Sequence, residues 1–384
     1  MIKLYKNFFI LLLFFISHPL CFADNIIILP KTIIAKNTTY QNTTLDLNNG
    51  SFIITNNATL KIENCIINGK ISPDNSFLIN LVNGKLVLKS STLNLVASFI
   101  EKKPNVPALN YAINIQSGAV DIADNRFTMD KSYTVGLLTT RLSPTENFMI
   151  KNNFIYNFHG GFLLRRSNNA SILNNKFLNV SGGNIFIIEG SNNLVHKNTI
   201  LFAGNNNVGD GVDILNSDHI TLTQNYISSD SCYSMVIASS KNILIDHNKI
   251  TGGITYAVYI VPSMSLLDYY YENYLSELIG EAVFKYDVNT NIIVTHNYFS
   301  QNRYGLAGKN IDGLIVKNNA FIQRFPDANS RKFWTNNDIL FQNAVNMTWE
   351  NNIYKEGYTQ DVHGNNNQSS KFVPFPLHGG IIFQ

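Results

Sequence analysis

The sequence predicts an all-β chain, a single right-handed parallel β-helix solenoid of about 11–13 coils with an asparagine ladder. Three observations predict it. A unit of two apolar positions, an Asn and an apolar residue two places later recurs down the chain, most often every 22–23 residues or about that. The runs between are short, rich in Ile, Val and Phe, and broken by Asn and Gly, which is strand and turn chemistry. Helical repeats need longer units, about 33–47 residues. Only 14% of residues are charged while 45% are hydrophobic, which is ample material for one continuous core.

Residues 1–23 read as a secretory signal. Lys3 and Lys6 precede an apolar run from Phe8 to Ile16, and Ala23 closes a Cys-Phe-Ala cleavage pattern. The run is too short to span a bilayer, and no later segment has the length of a membrane-spanning helix. A lipid anchor on Cys21 is the rival, but His18, Pro19 and Leu20 before it are not small. The product is expected to be secreted or periplasmic. Residues 24–354 form the solenoid, and 355–384 a tail whose Phe372-Val373-Pro374-Phe375-Pro376 covers the open edge of the last coil.

Loss of Lys3 and Lys6 lowers the formal charge from +3 to about +1, a poor balance for a nucleic-acid partner. A monomer is expected. Cys65 and Cys232 remain, several coils apart at roughly 4.8 Å per coil, beyond the ~7 Å Cα limit of a disulfide. Two buried free thiols are expected.

The repeated Asn falls at Asn64, Asn125, Asn153, Asn175, Asn198, Asn225, Asn248, Asn297, Asn319 and Asn352. Stacked amides at a bend can hydrogen-bond up the solenoid, and Asn tolerates the left-handed backbone that such bends require. The interval from Asn248 to Asn297 is about two periods. Tyr271-Glu272-Asn273-Tyr274-Leu275 repeats the motif near its middle, so another coil is expected there, with an amphipathic helix from Leu266 to Gly280 as the alternative.

On these residues the chain resembles the pectate-lyase-like right-handed β-helix superfamily, with Asn ladders like those of pectate lyases, polygalacturonases and alginate epimerases. The resemblance runs from about Asn37 to Tyr354, and one fold of this kind carries many activities. It implies a polysaccharide groove on the outer face of the first sheet. With each Asn before the third strand of a coil, the first strands read Phe162 to Arg165, Ile185 to Ile188, Val212 to Leu215, Met235 to Ala238 and Val258 to Val261. Alternation places Phe162, Ile185, Val212, Met235 and Val258 inward and Leu163, Phe186, Asp213, Val236 and Tyr259 outward. Insertions at Phe99 to Leu109, Asn205 to Gly209 and Arg324 to Asn337 precede this strand, the last carrying Arg331 and Trp334 as candidate sugar contacts.

Past the strand ends, consecutive coils offer Arg141, Arg166, Glu189 and Asn216, with Arg165 beside them. Guanidinium groups bind sugar carboxylates or sulfates in bidentate fashion, and a plain Arg166–Glu189 surface pair is the alternative. Gly209-Asp210-Gly211-Val212-Asp213-Ile214 resembles the N-T-D-G-[FI]-D segment of polygalacturonases, and Asp230-Ser231-Cys232 falls where that family has D-D-C. The resemblance implies Asp210 as a catalytic carboxylate and Asp230 as the general acid. Ser231 stands at the second Asp of that pair, and the G-H-G histidine and the Arg-x-Lys have no counterpart. A lyase instead needs a base, here Arg165 or Arg166, and often Ca²⁺ near Glu189, Asp210 and Asp213.

His196, His247 and His296 sit beside the repeated Asn and read as exposed turn residues, so no metal site is expected. Two functions stand side by side. One is an enzyme that binds and cleaves or epimerises an acidic polysaccharide, with Asp210, Asp213, Asp230, Arg165 and Arg166 as catalytic candidates and Glu189, Arg141, Tyr259, Trp334 and Arg331 as substrate contacts. The other is a non-catalytic binding, adhesion or envelope module.

Overall fold

A typical coil is three short strands joined by bends, as in Gly160–Arg165, Ser171–Leu173 and Lys176–Leu178. The computed structural model describes residues 25–98, 110–130, 135–140, 148–201, 210–228, 233–252, 256–262, 288–302, 304–322, 337–355 and 359–363. Among them every element is a strand. The third strands stack into one 13-stranded sheet, and the first and second strands join in another of 24. Pairing is parallel from coil to coil, with first-strand partners such as Phe162↔Ile185, Ile185↔Val212 and Val212↔Met235. Parallel neighbours joined by crossovers take the right-handed sense.

The expected coil phase is the one observed. Phe162, Ile185, Val212, Met235 and Val258 belong to the continuous inner core. On the third strands Phe127, Ile155, Phe177, Ile200, Ile227, Ile250, Phe299 and Phe321 stack fully buried behind them. Burying such columns is the main source of stability, at about 1.5–3 kcal/mol per large side chain.

The asparagines form the ladder, with its two physical jobs divided between neighbours. From Asn125 through Asn153, Asn175, Asn198, Asn225, Asn248, Asn297 and Asn319 to Asn352, each Nδ2 donates to the next Oδ1 at 2.9–3.1 Å. The left-handed backbone belongs instead to the residue before each, such as Asn152, Asn174, Lys197, Gln224, His247 and His296. Asn64 is therefore not a rung, since it has φ 51° and stands in the left-handed place. The buried rung is Cys65, whose N–H donates to Ser91 Oγ at 3.1 Å, while Ser91 N–H donates to Asn125 Oδ1 at 2.9 Å. Cys65 is a buried free thiol as expected; Cys232 lies outside the described residues.

A second ladder lines the bend after the first strand. Gly190 N–H donates to Ser217 Oγ, Ser217 N–H to Ser240 Oγ and Ser240 N–H to Asn289 Oδ1, at 2.8–3.1 Å. One sequence expectation changes. Lys249 pairs directly with Tyr298 and Lys241 with Thr290, so no coil is interposed between Asn248 and Asn297. The motif at Tyr271 to Leu275, and the helix alternative, fall outside the described residues. At the other end Thr359–His363 pairs with the strand Asn337–Val345. The signal sequence and the residues after 363 lie outside the described residues.

Candidate functional site

The outer face of the first sheet is a second apolar layer. Leu163, Phe186, Val236, Ile188, Leu215, Ala238 and Val261 form a buried cluster of their own, with Tyr233 and Tyr259 packed against it. Asp213 lies in register between Phe186 and Val236 and is 0% exposed. Leu163, Phe186, Asp213, Val236 and Tyr259 face away from the inner core as the alternation predicts, but the first four are buried and do not line an open groove.

Arginine chemistry collects where the strand ends. Arg166, Glu189, Asn216 and Ser239 occupy the same left-handed bend position in four successive coils, with φ between 50° and 55°. That geometry turns their side chains to one edge. Arg166 Nε donates to Glu189 Oε2 at 2.6 Å, and Arg165 Nε approaches the same oxygen at 3.6 Å, too long for a hydrogen bond. Side-chain exposure is 8% for Glu189, 13% for Arg165 and 48% for Arg166. Burial, reinforced by the neighbouring Arg166 charge, pulls the Arg165 guanidinium below its ordinary range against the support of Glu189. Thr140 fixes this edge, its Oγ1 accepting the Arg165 N–H at 2.8 Å and lying 2.9 Å from Ser167 Oγ.

At the other end of the strands stands an aromatic group. Tyr233, Tyr256 and Tyr259 stack with centroids 4.5–5.7 Å apart and planes within 11°. Burial raises the Tyr259 hydroxyl above its usual pKa. Asp210, 2% exposed, accepts the Tyr233 backbone N–H on Oδ1 at 3.1 Å, and its carbonyl accepts the Asn184 N–H. One oxygen of Asp210 is thus committed to the backbone amide of Tyr233. About four coils, about 19 Å, separate the Arg165 coil from the Tyr259 coil.

The structure therefore brings Arg165, Arg166 and Glu189 together, places Asp210 and Asp213 under cover, and puts Tyr259 in a stack with two tyrosines not singled out in the sequence. Tyr233 and Tyr256 pair in register, so repeat position was the signal that could have found them. Arg141, Asp230, Arg331 and Trp334 lie outside the described residues.

His247 and His296 are exposed bend residues as expected, yet they are not scattered. Their rings stack at 4.7 Å, and Asp246 accepts from both Nδ1 atoms at 2.8 and 3.3 Å. This is the one group of three metal-type ligands among the described residues. Two imidazoles and one carboxylate are not the oxygen cage that Ca²⁺ takes. Among the described residues Glu189, Asp210 and Asp213 belong to no such group, and Glu189 and Asp210 have oxygens already engaged.

Residues 112–276 match the family model described as a right handed beta helix region. The described residues of that stretch form a right-handed β-helix. A search of the curated proteins finds no match. Among solved structures, the β-helix is similar to the A-module of a mannuronan C-5 epimerase of Azotobacter vinelandii, at 12% identity and a TM-score of 0.39 over 87% of this chain and 91% of that one. It is also similar to a periplasmic alginate epimerase, at 11% identity and a TM-score of 0.44 over 83% and 78%. A third is a mannuronic acid specific polysaccharide lyase from human gut microbiota, at 10% identity and a TM-score of 0.33 over 92% and 83%. At these values none of them assigns a role to a residue of this β-helix. Among the described residues no helix is long and apolar enough to cross a membrane.

Proposed function

We propose that this β-helix is an extracytoplasmic protein that binds an acidic polysaccharide at the strand-end edge of its first sheet. One observation carries the reading. Among the described residues, Arg165 and Arg166 meet one carboxylate, that of Glu189, with one short hydrogen bond between these three side chains. Two guanidinium groups present about ten N–H donors, and one carboxylate accepts about four. The surplus charge and donors suit a uronate carboxylate or a sulfate, which Arg engages in bidentate fashion. The signal-like first 23 residues support export.

Catalysis on the bound chain is the second reading. What favours it is Asp213, a carboxyl at 0% exposure on an otherwise apolar sheet face, since ionisable groups in such surroundings cluster at reactive sites. Cleavage or epimerisation requires the substrate to reach Asp213, because a reacting group must lie within hydrogen-bond distance of the proton it moves.

The test is a panel of uronic-acid and sulfated polymers, with a neutral glucan as control. Binding of an acidic polymer that weakens about tenfold in Arg166→Ala supports the proposal. Failure of every acidic polymer to bind, or equal binding of the glucan, rejects it. New reducing ends, unsaturated-product absorbance or an altered NMR spectrum of the polymer decides the catalytic reading, and loss of that signal in Asp213→Asn assigns it.

A further inference from the structure

The three outer faces of the solenoid handle charge differently. Along the second strands the cations are matched by acids, as in Lys61–Glu63, Lys89–Asp121, Lys241–Asp218 and Lys317–Glu350. The 13 third strands contain a single acid, Asp46, against Lys70, Arg126, Lys176, Lys249 and Lys355. Arg126, Lys176 and Lys249 are exposed, and none of them makes an ion pair among the described residues.

Strand register sets these cations in one column with aromatic rings. The order is Arg126, Phe154, Lys176, Thr199, Tyr226, Lys249, Tyr298, one residue per coil. Arg126 lies over the Phe154 ring at 4.7 Å, and Lys249 sits between Tyr226 at 5.1 Å and Tyr298 at 5.9 Å. Around Lys249 the surface dips into a shallow cleft of about 350 Å³, where Thr251 and Ser300 add hydroxyl groups.

We infer that the outer face of the third sheet is a second polysaccharide-binding surface, taking an acidic glycan laid along the solenoid axis. The inference rests on the proposed function for the ligand's class but uses none of its residues. Aromatic faces present flat apolar area to the C–H faces of sugar rings, and the cations between them meet carboxylates. Coils repeat at about 4.8 Å, close to the length of one pyranose along an extended chain, so rings and charges recur in step with the sugars. Arg126 and Lys176 are two coils apart and Lys176 and Lys249 three, which matches one carboxylate per sugar at every second or third residue. Duplex nucleic acid carries a charge about every 1.7 Å and calls for a denser row of cations than this.

The mature chain is titrated calorimetrically with oligomers of polygalacturonate and of alginate, a neutral glucan of similar length and a DNA duplex. Three variants are compared with the unaltered chain, namely Lys249→Glu, Arg126→Glu with Lys176→Glu, and Tyr298→Ala. All four positions are at the surface, and circular dichroism with thermal melting checks that each variant folds. Expected are binding of an acidic oligomer but not the glucan, a fall in affinity with added salt, and a loss of about tenfold or more in Lys249→Glu. Unchanged affinity in all three folded variants overturns the inference. So does tighter binding of DNA than of any uronate oligomer. The first-sheet edge is separable. Loss of binding only in Arg166→Ala leaves the proposed function standing and removes the second surface, while loss only in the third-sheet variants does the reverse. If no acidic polymer binds at all, both fall.

Discussion

Replacing Asn198 by Ala is the sharpest probe of what holds the coils together. Asn198 is fully buried at the centre of its ladder. Its Nδ2 donates to Ile172 O at 2.8 Å and to Asn225 Oδ1 at 3.1 Å. Its Oδ1 accepts from Asn175 N–H at 2.9 Å and from Asn175 Nδ2 at 3.0 Å. At a net contribution of about 1 kcal/mol per hydrogen bond, these four sum to about 4 kcal/mol, and stranded buried partners such as the Asn175 N–H push the cost upward. Asn174, one residue earlier, is the control. It is exposed, makes a single side-chain bond to Asn152 at 2.9 Å, and carries the left-handed turn at φ 53°. Ala there costs about 1 kcal/mol of backbone strain. Urea unfolding followed by circular dichroism compares the two, and hydrogen exchange at the Asn175 amide localises the damage. Because a solenoid's stability is a sum over neighbouring coils, the Asn198 defect should open a few coils before the rest. A loss below about 1 kcal/mol for Asn198→Ala, or an Asn174→Ala variant equally destabilised, would show that the amide ladder is not the stabilising element argued for.

Three further outcomes follow from the same geometry. Glu189→Ala removes the carboxylate between two guanidinium groups and leaves the mostly buried Arg165 without it, so thermal stability should fall by about 3 kcal/mol, whereas half-exposed Arg166→Ala should lose under about 1 kcal/mol; equal melting temperatures would sink this account. Burial opposes the charge of Asp218, but hydrogen bonds from Asn242 and Lys241 with the nearby His219 outweigh it and hold its carboxyl below the ordinary range. Its contribution is therefore present above pH of about 4 and disappears as pH falls through the depressed value. Asp218→Asn should accordingly destabilise at neutral pH and become neutral near pH 2 or so, and a pH-independent difference in melting temperature contradicts that. Cys65, buried and donating its Sγ–H to Glu63 O at 3.2 Å, should resist an aqueous thiol reagent until the chain is unfolded in urea, and rapid labelling of the native protein at Cys65 would place that coil open.

Much of the fold was legible because a solenoid repeats its physics. The period and the apolar alternation set the phase of Phe162, Ile185, Val212, Met235 and Val258 without any coordinates, since each must face the same core as its neighbours one coil away. What failed was reading neighbours within a turn. Asn64 looked like a rung because it is an Asn, yet the place one residue on belongs to Cys65, and only the bonds to Ser91 reveal it. The interval after Asn248 misled for a related reason. Sequence length counts residues and not coils, so the direct pairing of Lys249 with Tyr298 and the meeting of Asp246, His247 and His296 were hidden together.

The candidate site divides the same way. By itself the sequence determined that Arg165, Arg166 and Glu189 end successive first strands, and that Asp213 and Tyr259 point away from the core, because alternation and period decide both. Tertiary structure alone decided that the face bearing Asp213 is a buried apolar layer, that Asp210 spends an oxygen on the Tyr233 amide, and that Arg126, Lys176 and Lys249 of the third sheet make no ion pair among the described residues. Exposure and charge balance depend on what lies beside a residue in the next coil and over it, and those neighbours stand 22 residues or more away along the chain.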